Sequence, residues 1–350
     1  MIIGEHWWGR LVNSVRFLDD VKDILMDRRS VIMNFSDNIP WLDIMTYTLE
    51  QQLAFMTDTR SFEVHDASKI RVEPGKYLFE RFCSEAERRK YWPGRDKSYE
   101  RFLATNINTT LNHRIICITG INSGNAAIWL KTVTEYLENR DSEDRGIFIL
   151  IVQGANTNES KLIGNVKYTD YVTDYDCLML CMTMLSSAKC SSTQKQYVSE
   201  IASNIARNNV EIAGVLATAE LSLAQNPFET ASEKLRNNNI TINDLEERVK
   251  TAVWEAQIKL VFPLLEDFRR ELVQKYQSKI QQFLPITSSA GERVDKATEV
   301  EIGQLYFICG KEKILDKTEF NLLKTMREAR NLLAHRDILT YNKLKKLEIL

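Results

Sequence analysis

Residues 147–152 read Ile-Phe-Ile-Leu-Ile-Val, six apolar residues in a row without a charge among them. A strand that is apolar on both faces is typical of a parallel sheet with helices packed on each side. Residues 114–119, Arg-Ile-Ile-Cys-Ile-Thr, predict a second such strand, and residues 124–137 predict a helix between the two. This alternation predicts an α/β fold in three layers.

The flanking segments extend the same pattern of short apolar runs and amphipathic stretches. Further strands are predicted at residues 31–35, 61–64 (an extension over 67–74 is left open) and 166–172. Further helices are predicted at residues 10–26, 41–56 and 176–185. Residues 1–190 are therefore predicted to form one α/β domain with a mostly parallel sheet.

Strand signals fade in the second half of the chain, and helical periodicity takes over. We expect a helical connector over residues 191–239 and an all-α helical bundle over residues 240–350. The longest helix of the bundle is predicted at residues 242–283, with a kink or break at Pro263. The last helix is predicted at residues 317–339.

The composition is that of a globular protein of two domains. The chain has 350 residues, 44% hydrophobic and 27% charged. The formal net charge is −2, which argues against a general nucleic-acid-binding surface. A local cationic tail remains, because residues 321–350 contain seven lysines and arginines against three acids.

The cysteines and the N-terminal residues indicate the cellular compartment of the protein. The six cysteines are scattered without a C-x-x-C pair, which predicts buried free thiols in a reducing cytosol. Charge interrupts the N-terminal residues too early for a signal peptide, and no apolar run approaches a membrane span. The four histidines show no metal-ligand spacing. We therefore predict a cytoplasmic protein without membrane contact or a bound metal.

The predicted last helix carries a compact polar group, Arg330, Asn331 and His335, in a run rich in leucine and alanine. An arginine can bind a phosphate in bidentate geometry, and an imidazole can transfer a proton near neutral pH. These two groups are the minimum for cutting RNA without a metal. The spacing fits the R-N-x-x-x-H signature of the HEPN superfamily, which residues 240–350 resemble.

The HEPN resemblance implies a division of labour among these side chains. His335 would deprotonate the ribose 2′-hydroxyl or protonate the leaving oxygen, Arg330 would stabilise charge on the phosphorane, and Asn331 would orient one of them. It also implies RNA as a partner, and a homodimer or another protein partner through the C-terminal domain, with two copies forming one cleft. Five helical residues turn through about 500°, which leaves Arg330 and His335 about 140° apart. A capping role for His335, and a HEPN-like domain that binds partners without cutting, stay open as alternatives.

Candidate binding residues lie at both ends of the chain. Cations near the motif are candidates for RNA binding, namely Arg327, Arg336, Lys343, Lys345 and Lys346. Near the N-terminus, an exposed pair of Trp7 and Trp8 would mark a partner-binding surface. The equal alternative is that the two side chains cover the hydrophobic core as a lid.

Residues 77–102 mix seven cations with five acids, and Tyr91, Trp92 and Tyr99 lie among them. These aromatic side chains would suit stacking with RNA bases. A solvated helical hairpin broken at Pro93-Gly94 is the favoured interpretation, because mixed-sign runs are usually solvated faces.

The order of strands and helices in the first half resembles the core of AAA+ and related P-loop ATPases. The resemblance places a phosphate loop between Phe35 and Trp41, where the chain reads Ser-Asp-Asn-Ile-Pro. That loop offers neither a glycine cradle nor a lysine to nucleotide phosphates. The acid expected after residues 114–119 for Mg²⁺ is also replaced, by Gly120-Ile121-Asn122. We therefore expect a degenerate, non-hydrolysing ATPase-like module without a cofactor, with a flavodoxin-like or Rossmann-like sheet as the rival interpretation.

Together these features predict a bacterial conflict protein of the antiphage-defence or toxin type. In this hypothesis a metal-independent HEPN-like ribonuclease domain is controlled by the ATPase-like module. The alternative is a non-enzymatic adaptor that assembles a larger defence or nucleic-acid-processing complex.

Overall fold

The computed structural model describes residues 2–36, 38–54, 60–155, 157, 159–287, 291–347 and 349. By its contacts the chain divides into two compact units, unit 1 (Met1–Asp176) and unit 2 (Cys177–Leu350). The domain boundaries predicted at residues 190 and 239 stay predictions.

Unit 1 contains a parallel sheet of five strands. They are β1 (Ser30–Phe35), β2 (Ser61–Asp66), β3 (Arg114–Asn122), β4 (Ile147–Gln153) and β5 (Ile163–Lys167). The order across the sheet is β2-β3-β4-β1-β5, so the first strand lies inside the sheet. Val31 of β1 pairs with Ile149 on one side and with Gly164 on the other. The predicted α/β domain with a parallel sheet is confirmed.

Helices cover both faces of this sheet. Unit 1 contains the helices α1 (Ile3–Arg10), α2 (Val12–Met26), α3 (Leu42–Ala54), α4 (Pro74–Phe82), α5 (Glu85–Arg88), α6 (Pro93–Asp96), α7 (Tyr99–Thr105) and α8 (Ala126–Asn139), and α9 (Asp174–Met184) begins in unit 1 and ends in unit 2. α4, α7 and α8 pack together over a core that includes Phe148, Leu150 and Trp129. α1, α2 and α3 pack together, and α2 contacts β1 and β5. The sheet is buried because both faces of its central strands are apolar.

An aromatic cluster fixes α2 against β1. The fully buried ring of Phe17 lies 5.6 Å from Phe35, 6.2 Å from Trp8 and 5.4 Å from Tyr168, between ring centroids. Helix α1, which the sequence analysis did not predict, brings Trp8 into this cluster. The aromatic cluster therefore joins α1, α2 and β1, an interior strand of the sheet.

Two predicted strands differ from the observed ones because of short 3₁₀ turns. The extension over 67–74 is wrong, since Asp66 caps a turn at Ala67–Lys69 by accepting the Ser68 N–H at 3.0 Å. The strand predicted at 166–172 begins earlier, at Ile163, and a turn at Tyr168–Asp170 follows its last residue. Alternating hydrophobicity therefore marked the strand but not its ends.

Unit 2 consists mainly of helices. They are α10 (Ser192–Ala206), α11 (Val210–Ala217), α12 (Leu221–Gln225), α13 (Pro227–Asn237), α14 (Leu245–Gln281), α15 (Ile302–Glu312), α16 (Lys317–Ala334) and α17 (Tyr341–Lys346). A short antiparallel pair, β6 (Ile286–Thr287) with β7 (Arg293–Val294), was not predicted.

The kink or break predicted at Pro263 is wrong in its position, because the kink of the long helix lies at Tyr276. Helix α14 continues through Pro263, and its one residue with non-helical dihedral angles is Tyr276 (φ −115°, ψ 18°). Pro263 lies on the exposed side of α14. There water can bind the carbonyl group that loses its helical partner, which lowers the cost of a proline within a helix.

A buried amide ties three segments of unit 2 together. Gln257 of α14 is fully buried, and its Nε2 donates to the Tyr197 hydroxyl of α10 and to the Leu339 carbonyl, each at 2.8 Å. Its Oε1 accepts the Leu339 N–H at 2.8 Å. Burial raises the pKa of Tyr197 to about 12. The amide therefore pairs both backbone groups of Leu339, as a neighbouring strand would.

We expect Phe17→Ala to lower the free energy of unfolding of unit 1 by about 3–5 kcal/mol, because a fully buried aromatic ring is removed. Urea unfolding followed by tryptophan fluorescence measures this, since five of the six tryptophans belong to unit 1. Val12→Ala is the control, because Val12 is 70% exposed and its loss should change stability by less than about 0.5 kcal/mol. Equal stability of the two variants would contradict the aromatic cluster.

We expect Gln257→Leu to destabilise unit 2 by about 2–4 kcal/mol, because the backbone groups of Leu339 and the Tyr197 hydroxyl stay buried without their partner. Tyr197→Phe removes one hydrogen bond and should cost about 1 kcal/mol. The unfolding transition can be followed by the fluorescence of Trp254, the tryptophan of unit 2. If Gln257→Leu is no more harmful than Tyr197→Phe, the amide does not organise this segment.

Candidate functional site

Helix α16 carries the predicted motif at its C-terminal end. Asp316 caps its start by accepting two backbone N–H groups of the first turn, at 2.8 and 2.9 Å. One face of the helix is buried, through Leu323, Met326, Ala329 and Leu333. Arg330 and Asn331 lie at the border of this face and are partly exposed. The amphipathic pattern of α16 therefore presents the motif at the surface of unit 2.

The helix ends at Ala334, five residues before the predicted end. Arg336 takes a left-handed backbone conformation with φ 60°. Its N–H bonds the Leu333 carbonyl at 3.2 Å, and the Asp337 N–H bonds the Leu332 carbonyl at 2.9 Å. This pair of hydrogen bonds is a Schellman motif. It makes His335 the C-cap residue, with an exposed side chain.

Trp254 of α14 anchors this end of α16. Its indole Nε1 donates to the Leu333 carbonyl at 2.8 Å. The guanidinium carbon of Arg336 lies 5.5 Å from the centroid of the Trp254 ring, which is a cation–π distance. The Trp254 indole therefore contacts both the last turn of α16 and Arg336, the residue whose left-handed backbone ends the helix.

Asn331 links the members of the motif. Its side-chain Oδ1 accepts a hydrogen bond from the Arg330 guanidinium at 3.3 Å, and its backbone carbonyl accepts the His335 N–H at 3.1 Å. Arg330 and His335 are both described, and no hydrogen bond or ion pair joins their side chains. The structure therefore places His335 one turn beyond Asn331 and brings Arg330 to Asn331, without direct contact between the two predicted catalytic groups.

Arg330 lines a pocket of about 320 Å³ with residues of α14, of the turn at Ala297–Glu299 and of the start of α15. Its guanidinium lies 3.7 Å from the carboxylate of Glu301, and both side chains are exposed, by 41% and 73%. An ion pair of this length and exposure is weak. Arg330 is therefore accessible to another anion in this pocket.

The second arginine of the pocket, Arg269, is engaged in hydrogen bonds within unit 2. Arg269 donates to both carboxylate oxygens of Glu266 and, through Nη1, to the Val300 carbonyl at 2.9 Å. Hydrogen bonding to Arg269 holds the pKa of Glu266 below its usual value. With Glu299 and Glu301, the pocket has three carboxylates against two guanidiniums. A phosphate at Arg330 would therefore have to displace Glu301.

The cations predicted to bind RNA occupy two places in unit 2. Arg327 of α16 lies over the ring of Tyr306 at 4.6 Å. Lys343, Lys345 and Lys346 lie on α17 and are exposed. With Arg336, all five belong to the last two helices and the turn between them, and RNA binding by them stays a prediction.

Trp7 and Trp8 do not form an exposed pair. Both are fully buried, and the Trp8 Nε1 donates to the Pro40 carbonyl at 2.8 Å. The partner-binding role predicted for them depended on exposure and is corrected to a role in the core of unit 1. The amphipathic helix α1 turns both side chains inward, which their position near the chain start did not reveal.

The C-terminal end of β1 is where a P-loop ATPase would bind nucleotide phosphates. β1 and β4 are neighbours in the sheet, but the chain continues from β1 to β2 at one edge and from β4 to β5 at the other edge. In α/β sheets, ligands usually bind in the crevice at such a switch point. Here the Asn34 amide donates to the Ala155 carbonyl at 3.0 Å and to the Thr157 hydroxyl at 2.8 Å. Asn34 thus ties the segment after β4 across β1. Asp37 of the predicted phosphate-loop segment lies outside the described residues.

The described part of the chain has neither a metal-binding cluster nor a membrane-spanning helix. It contains no group of three or more His, Cys, Asp or Glu side chains placed to hold a metal ion. Its helices include none with the length and apolar character needed to cross a membrane. All six cysteines are free thiols, five of them buried, and Cys190 is partly exposed.

Glu301, Trp254 and Gln257 are residues of this region that were not predicted from the sequence. Glu301 begins α15 and forms a capping box with Gln304, so the E-x-x-Q spacing before an apolar run was a usable signal of a helix start. The other two lie in the periodic stretch of α14, where no local signal marks a polar atom that will bond a distant backbone. Their roles depend on the packing of α14 against residues 333–339.

Comparison with known proteins yields little. No model of a known protein family matches the chain, and no curated protein matches it. Among solved structures, PCH-2 of C. elegans is similar at 10% identity with a TM-score of 0.29, over 67% of this chain and 74% of that chain. A likeness at this level supports no conclusion about function, and both the HEPN resemblance and the ATPase resemblance stay predictions.

Proposed function

We propose that the chain is a metal-independent endoribonuclease of HEPN-like type, with Arg330, Asn331 and His335 as its reactive residues. The observation that carries the proposal is the exposed His335 imidazole at the C-cap of α16, one turn from an asparagine that bonds Arg330. A group that transfers protons to and from RNA must be reachable by solvent and substrate, and His335 meets this requirement.

The reaction needs little from the protein. The ribose 2′-oxygen bonds to phosphorus while the bond to the 5′-oxygen breaks, which yields a 2′,3′-cyclic phosphate and a 5′-hydroxyl. One proton leaves the 2′-hydroxyl and one reaches the 5′-oxygen. Attack within the same nucleotide is intramolecular, so positioning and charge neutralisation suffice. His335 moves one of these protons, Arg330 neutralises the phosphorane, and Asn331 orients the guanidinium.

The HEPN resemblance, rather than the charge of the pocket, implies a site completed by a second copy. Within one chain the Arg330 pocket has more carboxylates than guanidiniums, which disfavours a phosphate. The HEPN resemblance implies a dimer in which two such motifs face one cleft. In that arrangement each copy contributes Arg330 and His335 to one RNA strand, which places two imidazoles near the scissile phosphate.

Unit 1 is proposed to be the control module. Between Phe35 and Trp41 it lacks the glycines and the lysine of a phosphate loop. Asn34 also ties the segment after β4 across β1, at the switch point of the sheet. A scaffold or sensor of this kind, joined to a ribonuclease, suits a bacterial antiphage-defence or toxin system.

The Arg330–Glu301 ion pair favours a second candidate function, a non-enzymatic adaptor. In that case the pair stabilises the start of α15, and His335 serves only as the C-cap residue. The adaptor would assemble a larger complex through surfaces of both units.

We expect His335→Ala to reduce RNA cleavage at least about a hundredfold, because a proton-transfer group is removed. Arg330→Ala should reduce it comparably. Cleavage of a labelled RNA in excess EDTA, with detection of 2′,3′-cyclic phosphate ends, measures the effect. His113→Asn is the matched control, since His113 is an exposed histidine of unit 1. Unchanged cleavage in His335→Ala, or no cleavage by the wild-type protein, would contradict the ribonuclease proposal and leave the adaptor.

We expect Glu301→Gln to increase cleavage roughly two- to fivefold, because Arg330 loses a weak competitor for phosphate. Glu299→Gln is the control, since Glu299 lines the same pocket but pairs with Lys296 at 3.7 Å. Initial rates at low RNA concentration measure the change. A fall in rate with Glu301→Gln alone would show instead that the Glu301 carboxylate supports the reaction.

A further inference from the structure

We propose that the turn around Trp92 in unit 1 binds single-stranded nucleic acid, with one base stacked on the indole and phosphates on the neighbouring cations. This site is separate from the motif on α16 and does not depend on the proposed cleavage. It is defined by residues 88–97, which the structure describes completely, and is called the Trp92 turn below.

The indole of Trp92 is exposed to solvent rather than packed in the core. It is 68% exposed, an unusual state for a tryptophan in a folded unit. A Cβ atom at Gly94 would lie only 3.0 Å from the indole Nε1, so the indole edge lies close to the backbone of Gly94. Glycine at position 94 therefore leaves room for the ring to rest beside the turn while most of its surface faces solvent.

The backbone of the turn is held in place by an ion pair. The Asp96 carboxylate accepts the Trp92 N–H at 2.7 Å and the Arg95 Nε–H at 2.8 Å. Arg95 also donates to the Lys90 carbonyl at 2.7 Å. Preorganisation of this kind lowers the entropy lost when a ligand stacks on the indole.

Stacked aromatic rings anchor the turn to unit 1. Tyr91 stacks on Tyr99 with 4.7 Å between ring centroids, and both rings contact Phe79 of α4. Tyr91 and Tyr99, which the sequence analysis grouped with Trp92, are therefore partly buried and committed to packing. Trp92 is the ring of the three that offers most of its surface to a ligand.

The charge of the turn is positive and partly unpaired. Residues 85–97 contain five cations and three acids, and each acid is paired: Glu85 with Arg89, Glu87 with Lys90 and Asp96 with Arg95. Among the described residues, no ion pair engages the exposed side chains of Arg88 and Lys97. Two exposed cations in the same short segment as an exposed indole match a phosphate chain with flat bases, because the base can stack and the phosphates can bind the cations. An acidic peptide would use the cations but gain little from the flat ring.

The test is binding of labelled 12-residue oligouridylate and oligothymidylate, measured by fluorescence anisotropy at several salt concentrations. It uses the full chain carrying His335→Ala, so that cleavage and binding are separated. Stacking does not read the 2′-hydroxyl, so we expect both oligonucleotides to bind. Binding of both oligonucleotides supports the site, and binding of only one of them would overturn the stacking argument, because stacking does not distinguish the two sugars.

We expect Trp92→Ala to weaken binding roughly tenfold, and Trp92→Phe to weaken it much less, because phenylalanine retains a ring. Tyr47→Ala is the matched control, since Tyr47 is 60% exposed in the same unit but lies on α3. Replacing Arg88 and Lys97 by alanine should reduce the slope of log K against log salt by about 0.7 for each cation.

Three further results would overturn the proposal. One is equal affinity of Trp92→Ala and wild type for both oligonucleotides, and another is no binding by the wild type at low salt. The third is a competition result, in which an oligoglutamate of equal length displaces the oligonucleotide from wild type and from Trp92→Ala equally well. That result would identify the turn as a site for acidic proteins.

Discussion

The left-handed backbone of Arg336 ends helix α16, and the candidate site depends on that ending. A residue with a Cβ in this conformation costs about 1–2 kcal/mol, which must be offset elsewhere. The offset comes from the Schellman hydrogen bonds, from the Trp254 indole that binds the last turn, and from the Gln257 amide that pairs with Leu339. If the helix continued, Leu339 would not reach Gln257 and His335 would be an ordinary helical residue. The interactions that stabilise the end of α16 thus also set the position of the imidazole.

The pocket beside this helix end combines a structural and an available arginine. Arg269 is saturated by Glu266 and by carbonyl groups of the turn before α15, so it supports the shape of the pocket. Arg330 has one long ion pair and one hydrogen bond to Asn331. The same weak pair with Glu301 suits either proposed function. In an adaptor it is a surface ion pair, and in a nuclease it is a competitor that phosphate displaces.

Much of unit 1 was predictable because its signals are local. β1 and β4 lie in short, mostly apolar runs of the length of a buried strand, and their parallel pairing is expected from the helices between the strands. The predictions failed where contacts between residues far apart in the sequence determined the structure. Trp7 and Trp8 are buried because α1 packs against α2 and α3. Helix α14 passes through Pro263 because the proline faces solvent, and neighbouring residues alone do not specify that orientation.

The sequence by itself determined the parallel α/β sheet and the placement of Arg330, Asn331 and His335 near the end of a late helix. It did so because hydrophobic periodicity and residue spacing are properties of short segments. Only the tertiary structure decided that α16 stops at Ala334, that Arg330 meets Glu301 across a pocket, and that Trp92 is exposed while Tyr91 and Tyr99 are packed. These outcomes depend on residues far apart in the chain, whose contacts form when the helices pack and bury their apolar faces.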